Sequence, residues 1–454
     1  MSNTSPGVMV PRHLRVVRAA MPVAILLAMV PGIVLGPTVD QVAQATDVIP
    51  VSPTATPVDP NAPAELPPLP TQAPLQSGFT PDAVAAEQVP GPHEDAPDLS
   101  ATGAVLIDPV DGVILAGVQP RVALPMASTT KIMTILLALE AVEGGSVAPE
   151  LTVSVTAAAT GQLPGVATLG LREGDTVSVR DVLAADLLRS GNDGAVAIAE
   201  HVAGSETAYV ALMNQRSVTL GLEDTRFEDS SGLSNDAAAH HATPLDLALL
   251  GQEAMSHPDF AMWAGAVQLT VPPFGLLENR NEMLTQYPGT TGIKTGFTTL
   301  AGMCLVASAE RDGRTLYAVV LGSEDRVADT SALFDHGFGD FARPTPLRTG
   351  DVGAVYRTAA GDVELSVAED LARTVGAQAQ VSTVTRLAPD VALPVALGTP
   401  MGEVALLVQG EEVASTALLA DVAIEGTPDT PGAAMADALR AFARLLPRDA
   451  PVSL

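Results

Sequence analysis

The sequence predicts an α/β fold over residues 101–345, followed by a small all-β domain over 346–430. Three observations predict it. Between 101 and 345, apolar runs of strand length alternate with longer runs that carry helix start signals. From about 346 the runs become short, Val-rich and punctuated by Gly, the pattern of a small β domain. Ahead of both, Thr46 to Ser100 holds 13 prolines and no Lys or Arg, so residues 46–100 read as an extended acidic linker that buries no core. A length of 454 residues with 47% apolar content leaves room for two cores, and 3% aromatic content makes their packing mostly aliphatic.

The elements follow in order. In "GAVLIDPVDGVILAG" two apolar runs flank Asp108-Pro109-Val110-Asp111-Gly112, a hairpin signal. The next run, "STTKIMTILLALEAVEGG", is apolar nearly all the way round and stops at Gly144-Gly145, as a buried helix does. "SVRDVLAADLLRSGNDGAVAIAEHVAG" reads as two helices broken at Gly191-Asn192. In "HATPLDLALL", Thr243 as N-cap, Pro244 at the first helical position and Asp246 in the first turn mark another helix start. "GIKTGF", "AGMCLVASAE" and "RTLYAVVLG" read as strands, the last two joined by a turn at Arg311-Asp312-Gly313-Arg314.

At the N-terminus, Arg12, His13, Arg15 and Arg18 precede an apolar stretch from Ala19 to Gly36, and Ala43-Gln44-Ala45 resembles a cleavage site. Residues 1–45 therefore read as an export signal or an N-terminal membrane anchor, which places the folded part outside the cytoplasm. At the other end, 431–454 contains Met435, Leu439, Phe442 and Leu446 at helical spacing beside Arg440 and Arg444. Two readings stay open for this tail: a membrane-surface helix, or one that docks on its own domain. A net charge of −29, with no basic cluster beyond the first twenty residues, argues against nucleic acid as a partner. The single cysteine, Cys304, sits in an apolar run and reads as a buried strand thiol.

Lysine usage points to chemistry. Only Lys131 and Lys294 occur among 23 basic residues; the others are arginine. A chain that writes its surface charges as Arg keeps Lys where a guanidinium fails, either to lose a proton or to act as a compact charge. Ser128 and Lys131 lie three residues apart at the start of the buried helix, which puts a hydroxyl and a base on one face and near free backbone N–H groups. Lys294 opens Lys294-Thr295-Gly296 in a strand, and Ser190-Gly191-Asn192 lies between the two lysines on a turn between helices. Each motif alone is weak, but their order is not. Ser-x-x-Lys, a Ser-x-Asn-type turn and Lys-Thr-Gly form the trio of penicillin-binding proteins and class A β-lactamases.

On the strings "ASTTKIMT", "LLRSGNDGAVAIAE", "MNQRSVTLGLEDTRFEDSSGL" and "GIKTGFTTLAGMCLVASA", together with the β-rich C-terminal region, residues 100–430 resemble serine-type D-alanyl-D-alanine carboxypeptidases, the low-molecular-mass penicillin-binding proteins. The resemblance implies a catalytic domain with an antiparallel sheet flanked by helices, and no cofactor. It implies that Ser128 forms an acyl-enzyme on the penultimate D-Ala of a peptidoglycan stem peptide, that Lys131 takes the hydroxyl proton, and that β-lactams acylate the same serine. It further implies proton relay by Ser190, a grip on the substrate amide by Asn192, carboxylate binding by Thr295 with Lys294 behind it, and an oxyanion hole from the backbone N–H groups of Ser128 and Phe297. Arg326, in the short loop "GSEDRVAD", is expected to help hold the carboxylate. The alternatives are a β-lactamase, which must hydrolyse its acyl-enzyme quickly, or a cell-wall-binding protein without turnover. An idle site would have no reason to keep the only two lysines. His240-His241 lacks a third ligand at suitable spacing, so no metal is expected. The missing Gly-x-Ser-x-Gly elbow weakens a Ser-His-Asp hydrolase.

Overall fold

The computed structural model describes residues 95–358, 361–389, 391 and 394–424. The expected leader, most of the linker and the expected amphipathic tail lie outside the described residues. Among the described residues no helix is long and apolar enough to cross a membrane.

The chain first forms β1 (Gly103–Asp108), β2 (Val113–Val118), a 3₁₀ turn at Ala127–Thr130 and α1 (Lys131–Glu143). There follow β3 (Glu150–Thr152), α2 (Val155–Thr160), β4 (Thr176–Ser178), α3 (Val179–Arg189), α4 (Asn192–Ala203), α5 (Glu206–Thr219), α6 (Pro244–Met255) and α7 (Pro258–Gly265). A small hairpin of β5 (Gln268–Val271) and β6 (Gly275–Glu278) and the short α8 (Met283–Gln286) lead into β7 (Thr290–Thr298), β8 (Gly302–Arg311), β9 (Arg314–Ser323) and α9 (Arg326–Gly339). Then come β10 (Phe341–Ala342), β11 (Val352–Thr358), β12 (Gly361–Val367), β13 (Val375–Gly376), β14 (Val381–Leu387), β15 (Pro400–Val408) and β16 (Glu411–Ala420).

The central sheet is antiparallel, in the order β2-β1-β9-β8-β7. Alternate residues of its inner strands serve two cores. Val105, Ile107, Val306, Val319 and Leu321 join α1 and the helices around it, whereas Ala104, Leu106, Leu305, Ala307 and Val320 pack on Leu333 and Phe334 of α9. A sheet covered on both faces explains why these strands read as continuous apolar runs rather than alternating ones. The β8–β9 turn is the expected one: Asp312 and Gly313 both adopt positive φ, the geometry that matches strand twist in a two-residue hairpin.

The helices end where their residues say they should. Ser178 accepts from the Asp181 amide to cap α3, and Thr243 does the same for α6 from the Asp246 amide, with Pro244 at the first helical position. Helix α1 is buried almost all round, which accounts for its lack of a polar face. Cys304 is buried in β8, and burial raises its thiol to about 11.

Beyond α9, β11, β12, β16, β15 and β14 form a second five-stranded antiparallel sheet with its own core, including Tyr356, Leu365, Leu406 and Leu418. The acidic turn between β1 and β2 fastens this region to the first sheet. Buried Asp108 accepts from Arg314 Nε at 3.0 Å and from the Thr374 hydroxyl at 2.7 Å, while Asp111 accepts from Arg343 Nε at 3.2 Å and Nη2 at 3.1 Å.

Candidate active site

Ser128 lies in the 3₁₀ turn that leads into α1, half-buried, directly after Ala127 in a left-handed conformation (φ 48°). Two glycines make room for this turn. A Cβ on Gly232 would sit 2.0 Å from the Ala127 carbonyl oxygen, and one on Gly296 would sit 3.1 Å from the Ser128 amide nitrogen. The Lys-Thr-Gly strand thus runs closely past the serine because its third residue has no side chain. We expect Gly296→Ala to push β7 away by a few tenths of an ångström and slow acylation about tenfold with little change in melting temperature, since small misplacements at a reacting centre are costly. Acylation rates within a factor of two of wild type would refute that close packing matters.

Lys131, one turn on, is fully buried. Its Nζ donates to Asn192 Oδ1 at 2.8 Å, to the Ser231 carbonyl at 2.6 Å and to Ser128 Oγ at 3.3 Å. Burial lowers its pKa; Asp186, Asp229 and Asp193 oppose this, and Arg280 adds to it. A neutral amine within reach of the hydroxyl is what a general base for serine requires. Lys294 is also fully buried and is pushed down to about 7, by burial first and then by the Lys131 charge, with Arg280 and Arg326 adding to the effect and Asp186 opposing it. The two lysines therefore share one low-dielectric pocket.

The turn between α3 and α4 supplies the remaining predicted pair. Ser190 caps α3 in the left-handed region (φ 64°), and its buried Oγ has no hydrogen-bond partner among the described residues. Asn192 braces the site with both ends of its amide, accepting from Lys131 and donating from Nδ2 to the Ala167 carbonyl at 3.0 Å. Thr295 is buried and Phe297 is exposed. Arg326, the first residue of α9, reaches the same strand: its Nη1 donates to the Gly296 carbonyl at 3.3 Å and its Nη2 pairs with Glu282 at 2.7 and 2.9 Å. All nine sequence-predicted site residues thus fall in or beside the loops and strand around Ser128.

Three supports were not read from the sequence. The Ser231 carbonyl that holds Lys131 sits in a loop wrapped around Asp229, whose carboxylate accepts from the amides of Ser231, Gly232, Leu233 and Ser234. His240 has both ring nitrogens engaged by neighbouring groups. Its Nδ1 accepts from the Glu228 amide at 3.1 Å and its Nε2 lies 2.7 Å from the Thr130 hydroxyl, so it buttresses the turn behind Ser128. Buried Asp186 lies one helical turn before Ser190. The signal for it was a lone acid in the apolar string "VLAADLLR".

A family model described as D-alanyl-D-alanine carboxypeptidase matches residues 91–325. The chain is 28% identical to the D-alanyl-D-alanine carboxypeptidase DacF of Bacillus subtilis, over 75% of this chain and 90% of the relative. It is 35% identical to DacC of Escherichia coli, over 63% of this chain and 72% of that relative. Among solved structures, penicillin binding protein 5 from Haemophilus influenzae superposes with a TM-score of 0.60 at 26% identity, covering 73% of this chain and all of that one. The cefotaxime-bound form of penicillin-binding protein D2 from Listeria monocytogenes superposes with a TM-score of 0.50 at 30% identity, covering 54% of this chain and all of that one.

Proposed function

The chain belongs to the D-alanyl-D-alanine carboxypeptidase family, and from that premise we propose that Ser128 is its nucleophile and Lys131 its base. The protein is a serine-type hydrolase that removes the terminal D-Ala from peptidoglycan stem peptides. The observation that carries the residue assignment is the position of Lys131 Nζ, buried, 3.3 Å from Ser128 Oγ, in a pocket that lowers its pKa.

In this reading neutral Lys131 accepts the Ser128 proton as Oγ attacks the carbonyl of the penultimate D-Ala. The backbone N–H groups of Ser128 and Phe297 hold the developing oxyanion, a contribution of ~10²–10³ in rate for each such donor. The C–N bond breaks as Ser190 relays the proton taken up by Lys131 to the departing amine. Water then hydrolyses the acyl ester and restores Ser128. Thr295, Lys294 and Arg326 receive the terminal carboxylate, which must draw Arg326 from Glu282. Asn192 moves from bracing Lys131 and Ala167 to sharing the substrate amide.

β-Lactams acylate the same serine in this reading, which the cefotaxime-bound Listeria relative supports. Peptidoglycan lies outside the cytoplasmic membrane, so the enzyme acts there. Attachment to that membrane would run through residues 1–45 or the 431–454 tail.

The full-length protein tests the reading. It is incubated with a fluorescent penicillin and, separately, with an acyl peptide ending in D-Ala-D-Ala, and the labelled peptide is located by mass spectrometry. Stable label on Ser128 together with D-Ala release is expected. Label on another residue would sink the assignment, and rapid loss of label would mark a β-lactamase instead.

A further inference from the structure

Two buried aspartates stand close together near the lysines, and their surroundings differ sharply. Asp193, in the first turn of α4, is fully used: its carboxylate accepts from the Thr168 hydroxyl and from the amides of Leu169, Gly170, Leu171 and Gly194, and so pins the 168–171 loop. Asp186, on α3, is equally buried, yet neither of its carboxyl oxygens has a hydrogen-bond partner among the described residues. Its carboxyl fits against α4 where Gly194 leaves a gap, with Cγ 3.4 Å and Oδ1 3.5 Å from where a Cβ would stand. A buried, unbonded carboxyl is expensive and calls for a charged neighbour.

The neighbours are the catalytic pocket. Among the described residues Lys294 Nζ, with three donors, makes one hydrogen bond, to the Thr295 carbonyl at 3.0 Å, and Ser190 Oγ makes none. The Ser190 amide donates to the Asp186 carbonyl at 2.8 Å and the Asp186 carboxyl packs on the α4 turn whose Asn192 holds Lys131, which brings it under the charges of Lys131, Lys294 and Asp193 without a direct ion pair to either lysine among the described residues. Arg280 faces both lysines, Arg326 faces Lys294 and Asp229 faces Lys131. Burial, the largest influence, raises Asp186 to about 7, with both lysines pulling it back down.

We propose that Asp186 is a positioning residue for acylation: its buried carboxylate is the counter-charge of the Lys131–Lys294 pair and fixes how many protons that pair carries. The sign follows from Coulomb's law. An anion favours protonated Lys131, so removing it favours the neutral amine at lower pH. This rests on Lys131 being the base of acylation.

The two-lysine sequence makes a direct test practical. Protein labelled with ¹³Cε-lysine gives signals from Lys131 and Lys294 alone. In Asp186→Asn, the Lys131 signal and the acid limb of the acylation rate with fluorescent penicillin should both move down by about one pH unit or more. Acylation on the acid side of the limb would then be about tenfold faster than wild type. Neither midpoint moving, or both moving up, would overturn the proposal. A lysine shift with an unmoved acylation limb would support the counter-charge and overturn Lys131 as the base. Should the variant not fold, the wild-type protein carries the test. Each lysine curve must then show a second inflection from the coupled carboxyl, and single inflections would overturn the proposal.

Discussion

Lys131→Arg should lower the rate of acylation by a fluorescent penicillin by ~10²–10⁴, the range attributed to a positioned general base. Arginine keeps the charge of the protonated lysine that Asp186, Asp229 and Asp193 face. What it removes is the ability to lose a proton at any working pH. It also removes the single nitrogen that now meets three acceptors at once: Ser128 Oγ, Asn192 Oδ1 and the Ser231 carbonyl. A planar guanidinium, longer and forked, has no such point. The measurement is the second-order acylation rate across pH, with a thermal melt to confirm folding. Acylation retained within tenfold of wild type would rule out proton transfer to Lys131.

This expectation was legible in the sequence because the chemistry is encoded locally. Ser128 and Lys131 share one helical turn, and Lys294 to Gly296 are consecutive in a strand, so spacing alone brings the groups into the right relation. The same holds for the hairpin turn at Asp312-Gly313 and the cap at Thr243. What spacing does not carry is pairing across long stretches of chain. Strand β1 lies between β2 and β9, joining residues near 105 to residues near 319, and no local pattern dictates that neighbour.

The supports of the site were hidden for the same reason. Lys131 is held by Ser231 and faced by Asp186, each reached through a different loop or helix. Burial is the largest influence on both lysines and lowers both, an effect of the surrounding fold rather than of sequence order. Counting along the chain is what proposes Arg326 for the site. Its contact with the Gly296 carbonyl exists because α9 begins beside the strand that carries Lys294.

The helix that carries Lys131 and follows the Ser128 turn is itself held by a buried charge cluster, and breaking it should be the largest stability loss away from the site. One nitrogen of Arg216, Nη2 on α5, donates to Glu140 on α1 at 2.7 Å and to Glu253 on α6 at 2.8 Å, with all three residues buried. Burial raises the Glu140 pKa and Arg216 opposes it, so the guanidinium is what keeps that carboxyl tolerable in the interior. His257 bonds Glu143 at 3.1 Å beside the cluster. Glu140, Glu253 and His257 lie close enough to hold a metal ion, but Arg216 already supplies the positive charge to both carboxylates. Arg216→Met keeps the volume and removes the charge, leaving two buried carboxylates unpaired at a cost of ~3–5 kcal/mol. For a chain of this size that lowers the melting temperature by roughly 10 °C. Adding Glu140→Gln and Glu253→Gln to Arg216→Met removes the stranded charges and should restore most of the loss, because the cost lies in unpaired burial rather than in the absence of the ion pair. A melting temperature within about 2 °C of wild type for the single variant would show that α1 is held by packing alone.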